Sequence, residues 1–342
     1  MNNAAVTEKI LVIRFSALGD VAMTVPVIKS FLIHYPHKEI LMLGDKKLAD
    51  LFVGIERLEF IGASLTGEHE GIIGMIRLFN SIRKKYIFNS VADLHGVLRT
   101  HLLRFLFTMV GKHTAVIDKG RFEKFALTRR ETKIFRPLPH TTERYSDVFA
   151  KLGFPFDNSD LVIHPNQKSK SDALNAIKKI GFAPFAKHGP KMYPLDSFKE
   201  IIQHFDSAGN QLYLFGGRGA EGRMMNVWRK QFNYIVSQEA HAGLKEELEI
   251  MKGLDLMVTM DSANMHLASL VNVPVVSIWG PTHPYTGFYG YNQDPTNAVQ
   301  VNMSCRPCSV FGNKACWRGD HACMKQITPQ MVIEKMETVL RR

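Results

Sequence analysis

The chain has 342 residues, 45% of them hydrophobic and 22% charged, with a formal net charge of +11 at pH 7. That length suits two domains of about 150–170 residues, and the apolar content excludes an intrinsically disordered chain. The positive excess points to an anionic partner, whether nucleic acid, an acidic lipid surface or a phosphorylated substrate, without choosing among them.

The opening residues, MNNAAVTEKI, are polar and lack the apolar core of a secretory signal. No run approaches the ~18 apolar residues of a bilayer span. The expectation is a cytoplasmic protein, at most in peripheral contact with the inner face of the cytoplasmic membrane. The first predicted strand is "KILVIRF", residues 9–15. Its unbroken "ILVI" is the pattern of a parallel strand buried on both faces. Ser-Ala-Leu-Gly follows, then Asp20, then a helical pattern over residues 21–34. Asp20 either caps that helix or faces a ligand beyond the strand. Gly19 permits a tight turn, and the free N–H groups of the helix start suit an anion. The turn has no G-x-G-x-x-G fingerprint of dinucleotide binding. Further strands are predicted at residues 39–44, 58–61, 87–94 and 114–118. A helix over 97–110 follows the loop that carries Asp93, His95 and Arg99. "GKHTAVIDKGRFEKFALTRRETK" is a basic stretch that favours an anionic partner, or is solvated surface. The Pro-, Asn- and Ser-bearing segment 151–173 reads as a domain boundary.

The second half repeats the theme, with strands predicted at 180–185, 211–215, 234–236, 256–260, 273–278 and 298–303. Strands alternating with helices imply βαβ units with right-handed crossovers, an α/β chain of two doubly wound sheets. Ligands of such sheets bind beyond the carboxyl ends of the strands. There, "APFAKHGPKMYP" gathers Lys187, His188 and Lys191, a set of cations suited to a diphosphate. "YLFGGRGAEGR" offers Gly216 and Gly217 for close backbone approach by a nucleotide, and Glu221 to accept from a ribose diol. "VTMDSANMHLASLVNVPVVSIWGPTHP" ends a strand at Asp261 and opens a helix at Ser262 and Ala263. His266 lies one turn in, and Gly280-Pro281-Thr282 follows the next strand. The last helix begins at Thr328, a cap, with Pro329 in its first turn.

Cys305, Cys308, Cys316 and Cys323 fall within nineteen residues. Such clustering marks a local site and not a disulfide framework. Four thiolates can hold a structural zinc, although the spacing differs from the paired C-x2-C ribbon, and free buried thiols are the alternative. The chain has no helix-turn-helix, no stacking-aromatic RNA motif and no regular finger spacing, so nucleic acid is not an expected partner.

Taken together, "ILVIRFSALGDVAMTVPV", "ADLHGVLRT", "KMYPLDSFKEII", "MDSANMHLASLVNVPVVSIWGPT" and the cysteine-bearing tail resemble the ADP-heptose:lipopolysaccharide heptosyltransferases, glycosyltransferase family 9, over nearly the whole chain. The resemblance implies a GT-B fold, two Rossmann-like doubly wound domains facing a central cleft. It places an acceptor domain at 1–165, a nucleotide-sugar domain at 166–325, and a final helix, 326–342, packing back on the first domain. It further implies inverting, metal-independent transfer with no required cofactor. The donor would be an ADP-sugar, ADP-heptose foremost, and the acceptor an anionic glycolipid of the lipopolysaccharide inner core. Asp20 matches the general base and Lys191 the lysine that steadies the departing diphosphate. Asp261 would hold donor hydroxyls, and Ser262 with its helix start the phosphates. Lys187, His188, Gly216, Gly217, Glu221, Ala263 and His266 complete the expected donor side, and Gly19, Asp93, His95 and Arg99 the acceptor side. Ala263 stands where the family commonly has glycine, and Ala186 and Lys187 where it often has hydroxyl residues. These departures leave open another nucleotide-activated sugar; a GT-B nucleotide-sugar epimerase or hydrolase, sharing the donor motifs without an acceptor groove, is a close variant. A noncatalytic sugar- or nucleic-acid-binding protein is the alternative of a different class.

Overall fold

The computed structural model describes residues 8–157, 177–236 and 243–342. Two compact units are present: residues 1–120 with 141–162, and residues 121–140 with 163–342. Each is built on a five-stranded, wholly parallel sheet.

In the first unit, β1 (Glu8–Ile13), β2 (Lys38–Asp45), β3 (Leu58–Ala63), β4 (Ser90–Asp93) and β5 (His113–Val116) lie in the order β3-β2-β1-β4-β5. β1 is central, with Ile10 opposite both Ile40 and Ser90. Ile10, Leu11, Val12 and Ile13 are wholly buried, as a strand covered on both faces requires. Helices Gly71–Lys85 and Leu98–Met109 pack together on one face, where Phe79 and Phe107 meet edge to face.

In the second unit, β6 (Lys179–Ala183), β7 (Gln211–Leu214), β8 (Leu256–Met260), β9 (Val275–Ile278) and β10 (Ala298–Val299) take the order β10-β9-β8-β6-β7. Each sheet therefore reverses its winding once, between β1 and β4 in the first and between β6 and β8 in the second. These topological switch points open the crevices that ligands of doubly wound sheets occupy.

Several expectations are corrected. The predicted strand at 234–236 is a single bridge, Leu212 to Ile235, because this short edge segment exchanges only the bonds on either side of Leu212. The strand predicted at 298–303 is only Ala298–Val299, closing with the bond from the Trp279 N–H to Val299 O; farther on, the Val301 carbonyl accepts from the Arg306 guanidinium. The strand predicted from residue 87 starts at Ser90, with Ile87 exposed before it. The boundary expected at residue 165 lies outside the described residues. Residues 121–140, expected in the first domain, group with the second unit. Lys133 Nζ donates to the carbonyls of Ser304, Cys305 and Pro307, and the Leu138 N–H to Tyr285 O.

The closing helix Pro329–Leu340 also differs from expectation. Its Val332, Ile333, Met336 and Val339 are buried in the core of the second unit, against helix Leu195–Ser207 and the strands of the second sheet. An apolar stripe at helical spacing finds its cover there. Among the described residues, no helix is long and apolar enough to cross a membrane.

Candidate active site

The first switch point gathers Arg14, Asp20, Asp93 and His95. β1 hands over to helix Leu18–Ala22, so Asp20 sits in that helix's first turn. The Arg14 guanidinium, almost fully buried, bonds Asp20 Oδ2 at 2.8 Å and donates to Leu94 O at 2.7 Å, tying the ends of β1 and β4 together. Oδ2 also accepts from the Ala17 N–H at 3.3 Å, so the capping role holds for that oxygen. Oδ1 accepts no hydrogen bond among the described residues, and the side chain is 27% exposed. Tyr145, wholly buried, donates to the Asp20 carbonyl at 3.2 Å and fixes the turn from below.

Across the same crevice, Asp93 is fully buried and its Oδ1 accepts from the N–H groups of His95 and Gly96, both at 2.9 Å. Asp93 thus shapes its own loop, with Arg104 Nε 3.9 Å from the other oxygen. Burial first, then the Arg14 and Lys119 charges, push His95 down to about 3, so its ring is neutral near pH 7. Arg99 is exposed at the start of helix Leu98–Met109. Gly19 lies buried in the first turn of helix Leu18–Ala22 without positive φ, so the tight turn expected of it is absent. The glycine whose conformation this site needs is Gly96, at φ 57°.

The second switch point brings Lys191 to Asp261. β6 leads through residues 184–188 to a short 3-10 turn, Gly189–Lys191, and β8 leads directly to Asp261. Lys191 Nζ lies 2.8 Å from Asp261 Oδ2, and both side chains are nearly buried. Ser262 precedes helix Ala263–Leu270, and its hydroxyl meets Thr259 Oγ1 at 2.8 Å instead of capping the helix. The first N–H groups of that helix are therefore not satisfied by the Ser262 side chain. Ala263 is half-buried at the helix start, and His266 is buried one turn in.

The other expected donor residues divide. Lys187 is exposed and His188 half-buried, and neither joins the Lys191–Asp261 pair. Glu221 is drawn to its own loop, accepting from the Gly217 N–H at 2.6 Å. A Cβ at Gly216 would lie 2.8 Å from the Phe185 ring, and one at Gly217 2.9 Å from the Glu221 carboxylate. Packing against the Phe185 ring accounts for Gly216, whereas Gly217 is exposed and meets only the mobile end of Glu221. Much of the basic stretch around residue 130 is engaged inside the second unit too. Arg130 stacks over Trp317 at 4.0 Å, and Lys133 lies among carbonyls.

Four residues escaped sequence reasoning. Arg14 carried a signal, a charge set between the apolar run of β1 and Phe15. Tyr145 carried none beyond helical spacing. Gly312, at φ 70°, leaves the space through which the Lys191 stem runs; a Cβ there would lie 2.1 Å from Lys191 Cγ. Buried Arg306, between the first two cysteines, donates to the carbonyls of Trp279, Gly280 and Thr282 and so holds the Gly280-Pro281-Thr282 turn. Burial lowers its guanidinium to about 10. Burial, followed by the Arg306 charge, pushes the neighbouring His283 down to about 4.

All four cysteines are free thiols and line one small cavity of about 20 Å³. Burial raises Cys308 and Cys323, the latter to about 11. Among the described residues, no three His, Cys, Asp or Glu side chains are grouped closely enough to hold a metal ion.

Comparison with known proteins agrees with this layout. The family model for glycosyltransferase family 9 (heptosyltransferase) matches residues 75–316. Lipooligosaccharide heptosyltransferase 2 of Campylobacter jejuni is 22% identical over 95% of this chain and 96% of its own. Among solved structures, the family 9 glycosyl transferase of Veillonella parvula superposes with a TM-score of 0.75, at 21% identity, over 98% of this chain and 97% of its own. E. coli heptosyltransferase WaaC with ADP gives 0.68, at 18% identity, over 97% and 99%. The fold is the GT-B type. The chain is therefore a member of glycosyltransferase family 9, the heptosyltransferases.

Proposed function

We propose that the protein transfers heptose from ADP-heptose to an anionic acceptor of the lipopolysaccharide inner core, with inversion at the anomeric carbon. The acceptor oxygen attacks that carbon, its proton passes to Asp20 Oδ1, and the bond to the diphosphate oxygen breaks. Arg14 holds Oδ2 and so orients the free oxygen. Lys191 takes up the charge that grows on the departing diphosphate. In exchange, Asp261 is released to accept from donor hydroxyls, while the start of helix Ala263–Leu270 meets phosphate oxygens. Asp93, His95, Gly96 and Arg99 form the acceptor loop. We assign the acceptor role to the first unit and the donor role to the second, which includes residues 121–140 and the closing helix. No cofactor enters the transfer, and a zinc ion on the four cysteines would be structural.

The observation that carries this reading is the Asp20 carboxylate, one oxygen clamped by a buried arginine and the other open, at a sheet switch point of a family 9 chain. The ADP in the WaaC structure supports the choice of nucleotide. Calorimetric titration with ADP, UDP and their sugar conjugates tests it. Micromolar ADP binding, tightened by heptose and weakened in Lys191→Ala, is the expected result. Preference for UDP would overturn the donor, and absence of nucleotide binding the whole reading.

A further inference from the structure

Helices Gly71–Lys85 and Leu98–Met109 lie side by side over the first sheet, their inner residues Met75, Phe79, Leu103 and Phe107 buried in one core. Their outer faces depart from the usual polar surface of such helices. Ile72 is 70% exposed, Ile73 68%, Leu98 87%, Phe105 60% and Met109 70%. An apolar area of this kind on a water-facing helix pair marks an interaction surface. The charges beside it are predominantly basic. Residues 71–112 contain seven Lys and Arg and one carboxylate, the wholly buried Asp93, while exposed Glu68 and Glu70 stand just before the first helix and Glu59 pairs with Lys85.

We infer that this helix pair docks on an anionic lipid bilayer, its aliphatic and aromatic side chains entering the headgroup boundary while Arg77, Arg83, Lys84 and Lys112 meet lipid phosphates. Apolar side chains flanked by a predominantly basic field are the chemistry of an interfacial membrane contact, and they match no other single partner as well. Nucleic acid would account for the cations, but not for exposed isoleucine, leucine and methionine, which neither stack on bases nor bond to them. Position gives the contact a purpose. Leu98 opens the helix that follows the Asp93–Arg99 loop, so the same element that presents the acceptor loop would rest on the lipid. This deepens the proposed function, because an acceptor anchored in a bilayer must be met at its surface.

Flotation of the full-length protein with vesicles tests the surface without any reliance on transfer. Phosphatidylcholine vesicles with about a third phosphatidylglycerol should carry the protein at least about tenfold more strongly than phosphatidylcholine alone, and raised salt should weaken the binding. Arg83→Glu with Lys84→Glu, and separately Phe105→Ser with Met109→Ser, should each weaken it at least about tenfold while ADP titration stays unchanged. Equal binding to neutral vesicles, or undiminished binding by both variants, would overturn the inference. So would a dimer abolished by Phe105→Ser with Met109→Ser in a protein that ignores vesicles, since the occupant would then be a second copy. Vesicle binding by a protein that binds no ADP would remove the proposed function and leave this surface standing.

Discussion

Asp20 shows how much one side chain can be asked to do. Its Oδ2 closes the turn onto Ala17 and pairs with Arg14, a structural arrangement in its own right, while Oδ1 is the oxygen to which the proposed function gives the proton. Asp20→Asn keeps the shape and removes the base. Turnover should fall at least about a hundredfold with ADP affinity nearly unchanged, as single-turnover assays and calorimetry can show. A loss of only a few-fold would leave the residue a helix cap. Lys191→Ala should weaken ADP binding and turnover together, by roughly tenfold or more, because a charge-assisted contact to the diphosphate is lost. Gly312→Val is expected to mimic it from outside the ion pair, since a Cβ there falls 2.1 Å from the lysine stem. The cysteines allow a direct check: zinc below about a tenth of an equivalent in untreated protein would leave them as buried thiols.

At the scale of elements, apolar patterning was legible and its destination was not. "ILVI" announced a strand covered on both faces, and β1 is the buried centre of its sheet. The stripe Val332, Ile333, Met336 and Val339 announced an amphipathic helix with equal clarity. Nothing in its periodicity said which core would receive it, and the second unit did. Met336→Ala should cost about 2–5 kcal/mol in chemical denaturation, because Met336 is wholly buried there. Thr328→Ala should cost about 1 kcal/mol, through loss of the bond from the Met331 N–H to Thr328 Oγ1. The glycines of "YLFGGRGAEGR" teach the converse. A Gly-rich loop after a strand reads as a nucleotide cradle, but the Phe185 ring beside Gly216 gives that glycine a packing reason of its own.

For the whole molecule, buried imidazoles give the charge balance a pH dependence. His95 and His283 titrate near 3 and 4 in the fold, against 6.5 for a free side chain. The unfolded chain therefore binds their protons first, and stability is lost as pH falls below about 6.5, each group steepening the loss by up to about 1.4 kcal/mol per pH unit. Denaturation midpoints measured from pH 7 to pH 4.5 should drop, and His283→Asn should flatten the slope. A midpoint independent of pH would mean that both rings titrate normally.

The sequence by itself determined the α/β class, most strand positions, the loops that hold Asp20, Lys191 and Asp261, and the family, since these rest on apolar period and on short contiguous motifs. Only the tertiary structure decided that Arg14 clamps Asp20, that Lys191 pairs with Asp261 across 70 residues, and that Gly312 makes room for the lysine. It also decided that residues 121–140 group with the second unit, and that Gly19 lies inside a helix. The reason is common to all of these. A local pattern records what a residue needs from its immediate chain neighbours, whereas the partner of a buried charge, or the space left by an absent Cβ, is supplied by a distant segment that only the wound sheet brings near.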